Sequence, residues 1–380
     1  MRRFQARFLS PWLVVLVAAG LALEQRPALA SVPHFHHGHA RLVDLRGLHR
    51  FRHPLQISDM TADGSRVAFI GPFREGSNMA PAGIIDVGSG RLRVVGRVPA
   101  YQAWGPQLSP DGSRLLFWSG YALYTLDVPG GRMRLVATHV APRGAWDWLP
   151  DGRIAYLTLH RRLAFVTFGR RVLTPLRIPR VTGRRWARYI SGELLASVAV
   201  SPDGSSALFT AEDCTVWMEN LRTSRRHRVG RPYLSGFRSW SPDGSHFAVA
   251  GTPDFRGREC VPPRSAYRDV FLFRRGRGLV GRVTRASDEL NTGIGRTWST
   301  NGQWLLLDVA PTGTQVAGYV YLLAANVAHR TVTEVVVDRV ASDAFADSGG
   351  HVVLSRYRYA EGASLGREQG RVIAGRLAGR

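Results

Sequence analysis

The segment Trp240-Ser241-Pro242-Asp243-Gly244-Ser245-His246-Phe247-Ala248-Val249-Ala250 has the pattern of a tight turn that leads into a strand. Proline sets its φ near about −65° at the first corner of such a turn, and aspartate tolerates the second corner and can bond its own backbone. Glycine then takes the left-handed conformation that closes the hairpin. The segment therefore predicts a β-hairpin built on a type I turn plus a bulge.

The same phrase occurs seven times along the chain. Every copy begins with an apolar residue and has glycine at its fifth position, and the copies begin at Met60, Leu108, Trp148, Val200, Trp240, Trp298 and Phe345. Successive copies begin 48, 40, 52, 40, 58 and 47 residues apart. One such hairpin every 40 to 60 residues indicates an all-β propeller of four-stranded blades.

Closure of the ring sets the number of blades. The predicted blades span residues 55–98, 104–138, 145–179, 197–230, 236–284, 294–337 and 342–380. The last blade shows only three strands, and residues 41–47 form an extra strand before the first hairpin. Pairing of this N-terminal strand with strand 370–377 would leave no open sheet edge. We therefore expect one domain, residues 41–380, with seven blades; six blades with one degenerate copy is the alternative.

Apolar residues recur at fixed positions of the repeat. The tryptophans that begin three copies and the large apolar residues of the second strands are expected to pack between neighbouring sheets, as core and not as sugar platforms. They are Trp148, Trp240, Trp298, Phe69, Phe117, Tyr156, Phe209, Phe247 and Leu306.

The repeat resembles a known family. Ser-Pro-Asp-Gly followed by Arg114-Leu115-Leu116-Phe117, then Leu123-Tyr124-Thr125-Leu126-Asp127-Val128 and Gly130-Gly131, is similar to the WD40-like (PD40) repeat of the TolB-type propellers. The resemblance covers roughly residues 41–380 and implies the propeller fold. It says little about function, because that repeat occurs in periplasmic scaffolds, in propellers attached to peptidases and in many secreted proteins.

The N-terminus has the pattern of an export signal. Residues 1–30 combine a basic start, an apolar run from Phe8 to Leu23 and the small-residue site Ala28-Leu29-Ala30, as in a secretory signal peptide. We expect an extracytoplasmic protein, secreted, periplasmic or attached to the cell wall, without a transmembrane segment after cleavage; an uncleaved anchor is the alternative. The two cysteines, Cys214 and Cys260, are then a disulfide candidate. They fall between the second and third strands of adjacent predicted blades.

A short histidine-rich segment follows the predicted cleavage site. Residues 31–40 include His34, His36, His37 and His39, and imidazole is a good ligand for copper, nickel or zinc. No carboxylate or cysteine stands beside these histidines to complete a defined metal site. We interpret the segment as a flexible leader of the mature chain.

Charge is the strongest compositional feature. The 51 basic residues are all arginine and face 28 acidic ones, for a net charge of +23. A surface of this sign attracts polyanions such as envelope polymers. The expected partner is therefore a protein or an anionic cell-envelope polymer, with no specific nucleic acid, and the expected state is a monomer.

Two segments are longer than the repeat requires, and loops on a rigid scaffold are common sites of function. One is residues 251–268, and the other, residues 179–190, combines arginine with aromatic side chains. Arginine forks bind carboxylate or phosphate and aromatic rings offer stacking faces. The predicted anion or partner site comprises Arg180, Arg184, Arg185, Trp186, Arg188 and Tyr189. A merely solvated loop, or a short helix on the propeller, is the alternative.

Catalytic motifs do not emerge from the sequence. Gly362-Ala363-Ser364-Leu365-Gly366 matches the serine-hydrolase elbow, but no Asp or His follows it. No phosphate-binding glycine loop or zinc-peptidase motif is present, and no cofactor is expected. We expect a non-catalytic binding or scaffold module; a lyase or hydrolase acting on polysaccharide at the propeller mouth is the alternative.

Overall fold

The computed structural model describes residues 33–51, 55–61, 63–71, 78–99, 106–141, 146–167, 170–177, 198–210, 216–230, 240–251, 269–284, 290–311, 321–336, 340–346, 350–358 and 369–378. These residues form strands and turns only, and the propeller belongs to a compact unit that spans Pro33–Arg380. Among the same residues there is no apolar helix of the length needed to cross a bilayer. The predicted signal peptide lies outside the described residues.

The described residues form 28 strands, numbered in chain order. Strands β1 (His36–His37) and β2 (Arg41–Phe51) precede the first blade. Blades one to three consist of β3 (Gln56–Met60), β4 (Arg66–Ile70), β5 (Met79–Asp86), β6 (Leu92–Pro99); β7 (Gln107–Leu108), β8 (Arg114–Ser119), β9 (Ala122–Asp127), β10 (Met133–Thr138); and β11 (Trp146–Trp148), β12 (Ile154–Leu157), β13 (Arg162–Thr167), β14 (Arg170–Arg177). Blades four and five consist of β15 (Val198–Val200), β16 (Ser206–Thr210), β17 (Val216–Asn220), β18 (Arg226–Gly230); and β19 (His246–Gly251), β20 (Asp269–Arg274), β21 (Gly278–Arg282). Blades six and seven consist of β22 (Leu290–Trp298), β23 (Trp304–Pro311), β24 (Tyr321–Asn326), β25 (Thr331–Val336); and β26 (Val340–Ala346), β27 (His351–Arg358), β28 (Gln369–Ala378).

Each blade is an antiparallel meander, and together they form the predicted seven-bladed propeller. In blade five, a bridge between Trp240 and Phe247 stands in the position of the first strand. Because successive strands run in opposite directions, the first-to-second and third-to-fourth connections lie on one face, which we call the turn face. The second-to-third connections and those between blades lie on the opposite face, the loop face.

The repeat turn has the predicted geometry. In blade four the N–H of Gly204 donates to the carbonyl of Ser201 at 2.8 Å, and Gly204 has a left-handed φ of 67°. Oδ1 of Asp203 accepts hydrogen bonds from the Ser201 hydroxyl at 2.5 Å and from the backbone N–H of Ser205 at 3.0 Å. The same bonds recur in blades one, two and five, so the aspartate of each of these copies has a structural role.

The core consists of apolar layers between neighbouring blades. All nine predicted core residues are buried: Trp148, Trp240, Trp298, Phe69, Phe117, Tyr156, Phe209, Phe247 and Leu306. A buried side chain of this size stabilises the fold by roughly 1.5–3 kcal/mol. One layer joins Ile57 and Phe69 of blade one to Val353 and Ala374 of blade seven, so the first and last blades are in direct contact.

The predicted closure is confirmed. β2 pairs antiparallel with β28, from Arg41 opposite Ala378 to Phe51 opposite Gly370, and it becomes the outermost strand of blade seven. The ring therefore closes through backbone hydrogen bonds between the two ends of the described chain.

The expectation of a flexible leader is wrong from Pro33 onward. The N–H of Phe35 donates to the carbonyl of Arg282 in blade five, and β1 pairs in parallel with β25 as a fifth strand of blade six. The side chain of Phe35 is buried among Trp298, Leu305 and other residues of blades five and six. Burial of this one ring explains why the leader is ordered, since its histidines contribute little apolar surface.

Candidate functional site

The predicted site residues of the long loop lie outside the described residues. This holds for Arg180, Arg184, Arg185, Trp186, Arg188 and Tyr189, and also for Cys214 and Cys260. The anion site and the disulfide therefore stay predictions.

The leader histidines are placed by the structure. His34 forms a bridge with Arg282, and His36 and His37 are exposed on β1, where successive side chains point to opposite sides. In the described part of the chain, no group of three or more His, Cys, Asp or Glu side chains could hold a metal ion. In the structure, His36 and His37 form the strand that is added to blade six.

A different basic surface stands out among the described residues. Blade four ends in a turn and an outermost strand whose basic residues are all exposed. We call this surface the basic edge, and it comprises Arg222, Arg225, Arg226, His227 and Arg228.

The turn before β18 positions the first two arginines. Oδ1 of Asn220 accepts hydrogen bonds from the backbone N–H groups of Arg222 and Thr223, each at 3.0 Å. The N–H of Ser224 donates to the Asn220 carbonyl at 2.8 Å, and Ser224 itself is left-handed with a φ of 53°. This cap holds the turn in one conformation, so the arginines project from a fixed backbone.

Pairing with β17 fixes the rest of the basic edge. Arg226 lies opposite Glu219, His227 opposite Met218 and Arg228 opposite Trp217. Because β18 is the last strand of its sheet, both of its sides reach solvent, and consecutive residues can all be charged. Inner strands such as β8 and β12 are instead apolar and buried on both sides.

Arg226 has a structural role within this surface. Its Nε forms an ion pair with Oε2 of Glu219, whose side chain is only 1% exposed, and its guanidinium lies 5.4 Å from the centre of the Phe209 ring. A buried carboxylate without a cation would be strongly destabilising. Arg226 therefore neutralises Glu219, and its charge is not available to a partner.

Three arginines of the basic edge are available. Within the described residues, no carboxylate lies within ion-pair distance of Arg222, Arg225 or Arg228. Other blades have exposed arginines too, but two of them are already paired: Arg134 of the outer strand β10 with Asp127 at 3.2 Å, and Arg376 of β28 with Asp44 of the outer strand β2 at 3.5 Å. The basic edge is therefore a concentration of unneutralised positive charge.

The sequence contains a signal for this surface. Four arginines and a histidine fall within seven residues, from Arg222 to Arg228, directly after the third strand of a blade. A fourth strand made almost entirely of charged residues is expected to be exposed on both sides, so its charged side chains can contact a ligand.

A carboxylate of the innermost strands has a structural explanation. Asp59 of β3 is 4% exposed, and its two carboxylate oxygens accept hydrogen bonds from the backbone N–H groups of Met60 and Leu108, each at 2.7 Å. The second of these bonds joins blade one to blade two. Asp59 therefore ties two inner strands together.

Comparisons with known proteins bear on the fold. No family model and no curated protein matches this sequence. Among solved structures, the chain is similar to the β-propeller domain of Cps50 (Swd1) from Myceliophteria thermophila, with a TM-score of 0.56 and 10% sequence identity, over 88% of this chain and 99% of that domain. At this identity the likeness shows a WD40-like propeller fold and nothing about the ligand.

Proposed function

We propose that this chain is an exported, non-catalytic propeller with TolB-type repeats, and that it binds an anionic cell-envelope polymer. The observation that supports this most directly is the basic edge, where Arg222, Arg225 and Arg228 are exposed and lack ion-pair partners among the described residues. Guanidinium groups bind carboxylate and phosphate in a two-pronged manner, which suits a polymer with repeated anionic groups.

The rigidity of this surface supports the proposal. The Asn220 cap and the β17–β18 pairing hold the backbone, so little entropy is lost when a partner binds. A polymer that contacts three arginines also gains from multiple weak interactions along one chain. The net charge of +23 would concentrate such a polymer near the protein before specific contact.

Export is supported by the sequence of residues 1–30, whose predicted cleavage site lies shortly before the first strand. The first strand of the described chain, β1, begins only six residues after Ala30, the last residue of the predicted signal. Cleavage there would leave the whole ordered strap of residues 33–51 on the mature protein. Edman sequencing of exported protein tests this, because a start at Ser31 is expected.

The binding proposal is tested with two charged probes, polygalacturonate and inorganic polyphosphate. The edge variant replaces Arg222, Arg225 and Arg228 by serine. Its matched control replaces Arg91, Arg132 and Arg277 by serine, which removes the same charge from exposed positions on blades one, two and five. Affinity is measured against salt concentration for both variants and for the unchanged protein.

The edge variant should bind both probes at least about tenfold more weakly at low salt, and the slope of log affinity against log salt should shrink by about 2 to 3. The control variant should change affinity much less. Equal losses in the two variants would show that diffuse charge, and not the basic edge, is responsible. A third variant with Arg184, Arg185 and Arg188 replaced by serine tests the loop predicted from the sequence.

Turnover distinguishes the alternative function. If the protein acts as a lyase or hydrolase, the average chain length of polygalacturonate should fall with time in the binding assay. A constant chain length over a day at high protein concentration supports the non-catalytic proposal.

A further inference from the structure

Unusual backbone angles mark a second surface, on the loop face where blades two and three meet. Six described residues other than glycine have left-handed backbone angles, and three of them lie here: Tyr121 with a φ of 63°, His139 with 58° and Arg161 with 60°. A residue with a Cβ pays roughly 1–2 kcal/mol for this conformation. In the repeat turns of the same two blades, glycine occupies the left-handed position.

The turns themselves would favour other residues. Gly120 and Tyr121 form the two-residue loop between the paired residues Ser119 and Ala122, and both have positive φ. This turn type prefers Asn-Gly, so tyrosine at its second position is unfavourable. Likewise Arg161 ends a three-residue loop at a position that usually needs glycine. Backbone strain of this kind concentrates at functional sites.

Backbone hydrogen bonds join these turns into one surface. The N–H of Val140 donates to the carbonyl of Tyr121 at 2.9 Å, and the N–H of Leu159 donates to the carbonyl of His139 at 2.7 Å. Two second-to-third connections and the connection between the blades are thereby linked. We call Tyr121, His139, Leu159 and His160 the junction platform.

A buried aromatic base supports the junction platform. The ring of Tyr121 meets Trp118 edge-on at 5.9 Å, and Trp118 stacks on Trp146 at 6.1 Å with an interplanar angle of 9°. Both tryptophans are buried, whereas Tyr121 is 54% exposed. The two tryptophans therefore support a solvent-exposed tyrosine ring. Without such a contact, an exposed tyrosine side chain would change rotamers.

The other side chains of the junction platform are exposed as well: two are imidazoles, and the third, Leu159, is apolar and 42% exposed. His139 and His160 reach solvent, and Nδ1 of His139 lies 3.1 Å from the hydroxyl of Thr138, which leaves its Nε2 for a ligand. An exposed ring in turns that also carry two imidazoles and an aliphatic side chain suits a pyranose. The C–H face of the sugar packs on the ring, and its hydroxyls hydrogen-bond to the imidazoles.

We propose that the junction platform is a sugar-binding subsite that takes one pyranose unit of an anionic polysaccharide. The inference rests on the proposed function and narrows it, because it selects a sugar polymer over an anionic polymer without sugars. Tyr121 provides the stacking face, and His139 and His160 provide hydrogen bonds. Attraction between the charges of polymer and protein comes from the arginines elsewhere.

The test uses polygalacturonate, which contains pyranose rings, and polyphosphate, which does not. Tyr121→Asn removes the ring and keeps a residue that tolerates a positive φ, so the hairpin should still form. Tyr121→Phe keeps the ring. Val94→Asn is the matched control, since it also replaces an exposed uncharged side chain, 53% exposed, by asparagine but lies on the outermost strand of blade one.

Tyr121→Asn should weaken binding of polygalacturonate about tenfold, at high as well as low salt, because stacking is not screened. Its binding of polyphosphate should be unchanged, and Tyr121→Phe and Val94→Asn should bind both probes like the unchanged protein. Equal effects of Tyr121→Asn on both probes, or no effect on either, would overturn the subsite. Circular dichroism spectra and urea unfolding of each variant confirm that the fold is retained.

The two proposals fail in different ways. If neither polymer binds at low salt, the proposed function is wrong. If both bind with the same affinity and Tyr121→Asn changes neither, the proposed function stands and the sugar subsite is wrong.

Discussion

Nη1 of Arg275 donates a hydrogen bond to Oδ2 of Asp203 at 2.9 Å, and this bond joins the outer turn of blade five to the repeat turn of blade four. The other end of the guanidinium donates to the hydroxyls of Ser205 and Ser206, and the Cζ atom lies 5.7 Å from the ring centre of Trp240. One arginine therefore connects two blades on the turn face. The repeat turn of blade four therefore both closes its own hairpin and accepts hydrogen bonds from the outer turn of blade five.

Loss of this connection should destabilise the propeller. Arg275→Gln removes the ion pair and most of the hydrogen bonds, and because Asp203 is half exposed we expect a loss of only about 1–2 kcal/mol in the free energy of unfolding. Arg277→Gln, two residues further along the same turn and exposed, should change the free energy of unfolding by less than about 0.5 kcal/mol. Urea unfolding of both variants measures the difference. Similar values for the two would show that Arg275 does not hold the blades together.

The repeat-turn aspartates should make stability depend on acid pH. Hydrogen bonds from the Thr61 hydroxyl and from the backbone and hydroxyl of Ser65 lower the pKa of Asp63 to about 2. Burial acts to raise the pKa of Asp203, but hydrogen bonds from Ser201, Ser205 and Arg275 outweigh it and leave that pKa lowered. A lowered pKa in the folded state stabilises the fold above the ordinary carboxyl pKa. That contribution is lost as the pH falls through the folded value.

We therefore expect the free energy of unfolding to fall between about pH 4 and pH 2, with a smaller slope for Asp63→Asn than for the unchanged protein. Urea titrations at several pH values, followed by tryptophan fluorescence, measure both slopes. If Asp63→Asn retained the full slope, the carboxyl of Asp63 would not be among the groups responsible.

The N-terminal strap should contribute to stability through one side chain. Phe35→Ala removes a buried ring between blades five and six, and we expect a loss of about 3 kcal/mol. His37→Ala changes an exposed residue two positions along the same strap and should be nearly neutral. Thermal unfolding of both variants compares them directly. A neutral Phe35→Ala would mean that the strap is dispensable for the fold.

The two cysteines should form a disulfide in the exported protein. In the sequence, Cys214 follows β16 and Cys260 precedes β20, so both fall between the second and third strands of adjacent blades. A bond between them would close a loop of about 45 residues and stabilise the fold by about 3 to 4 kcal/mol. Mass spectrometry without reduction should find no free thiol. Two alkylated cysteines in unreduced protein would disprove the bond.

Much of the fold could be predicted because the turns and strands of the repeat depend on residues that are close together in the sequence. The turn at Pro242-Asp243-Gly244 needs one glycine with positive φ, and residues such as Phe247 and Val249 alternate with the period of a strand. Seven repetitions of these short-range requirements were sufficient to predict the blades, the core and the need for a closing strand. The N-terminal strap was predicted to be flexible because its position in the fold depends on Phe35 packing with Trp298 and Leu305, which are distant in sequence.

The sequence by itself determined the repeat, its seven copies and the residues that face the neighbouring blade, since backbone angles and strand alternation are properties of adjacent residues. Only the tertiary structure decided which charges are neutralised and which side chains come together. Arg226 differs from Arg228 because Glu219 lies opposite it across two strands. His139 of blade two and Leu159 of blade three form one surface because a hydrogen bond between the two blades brings their connections into contact. Such contacts depend on how the blades pack, and the packing depends on residues that are distant from one another in the sequence.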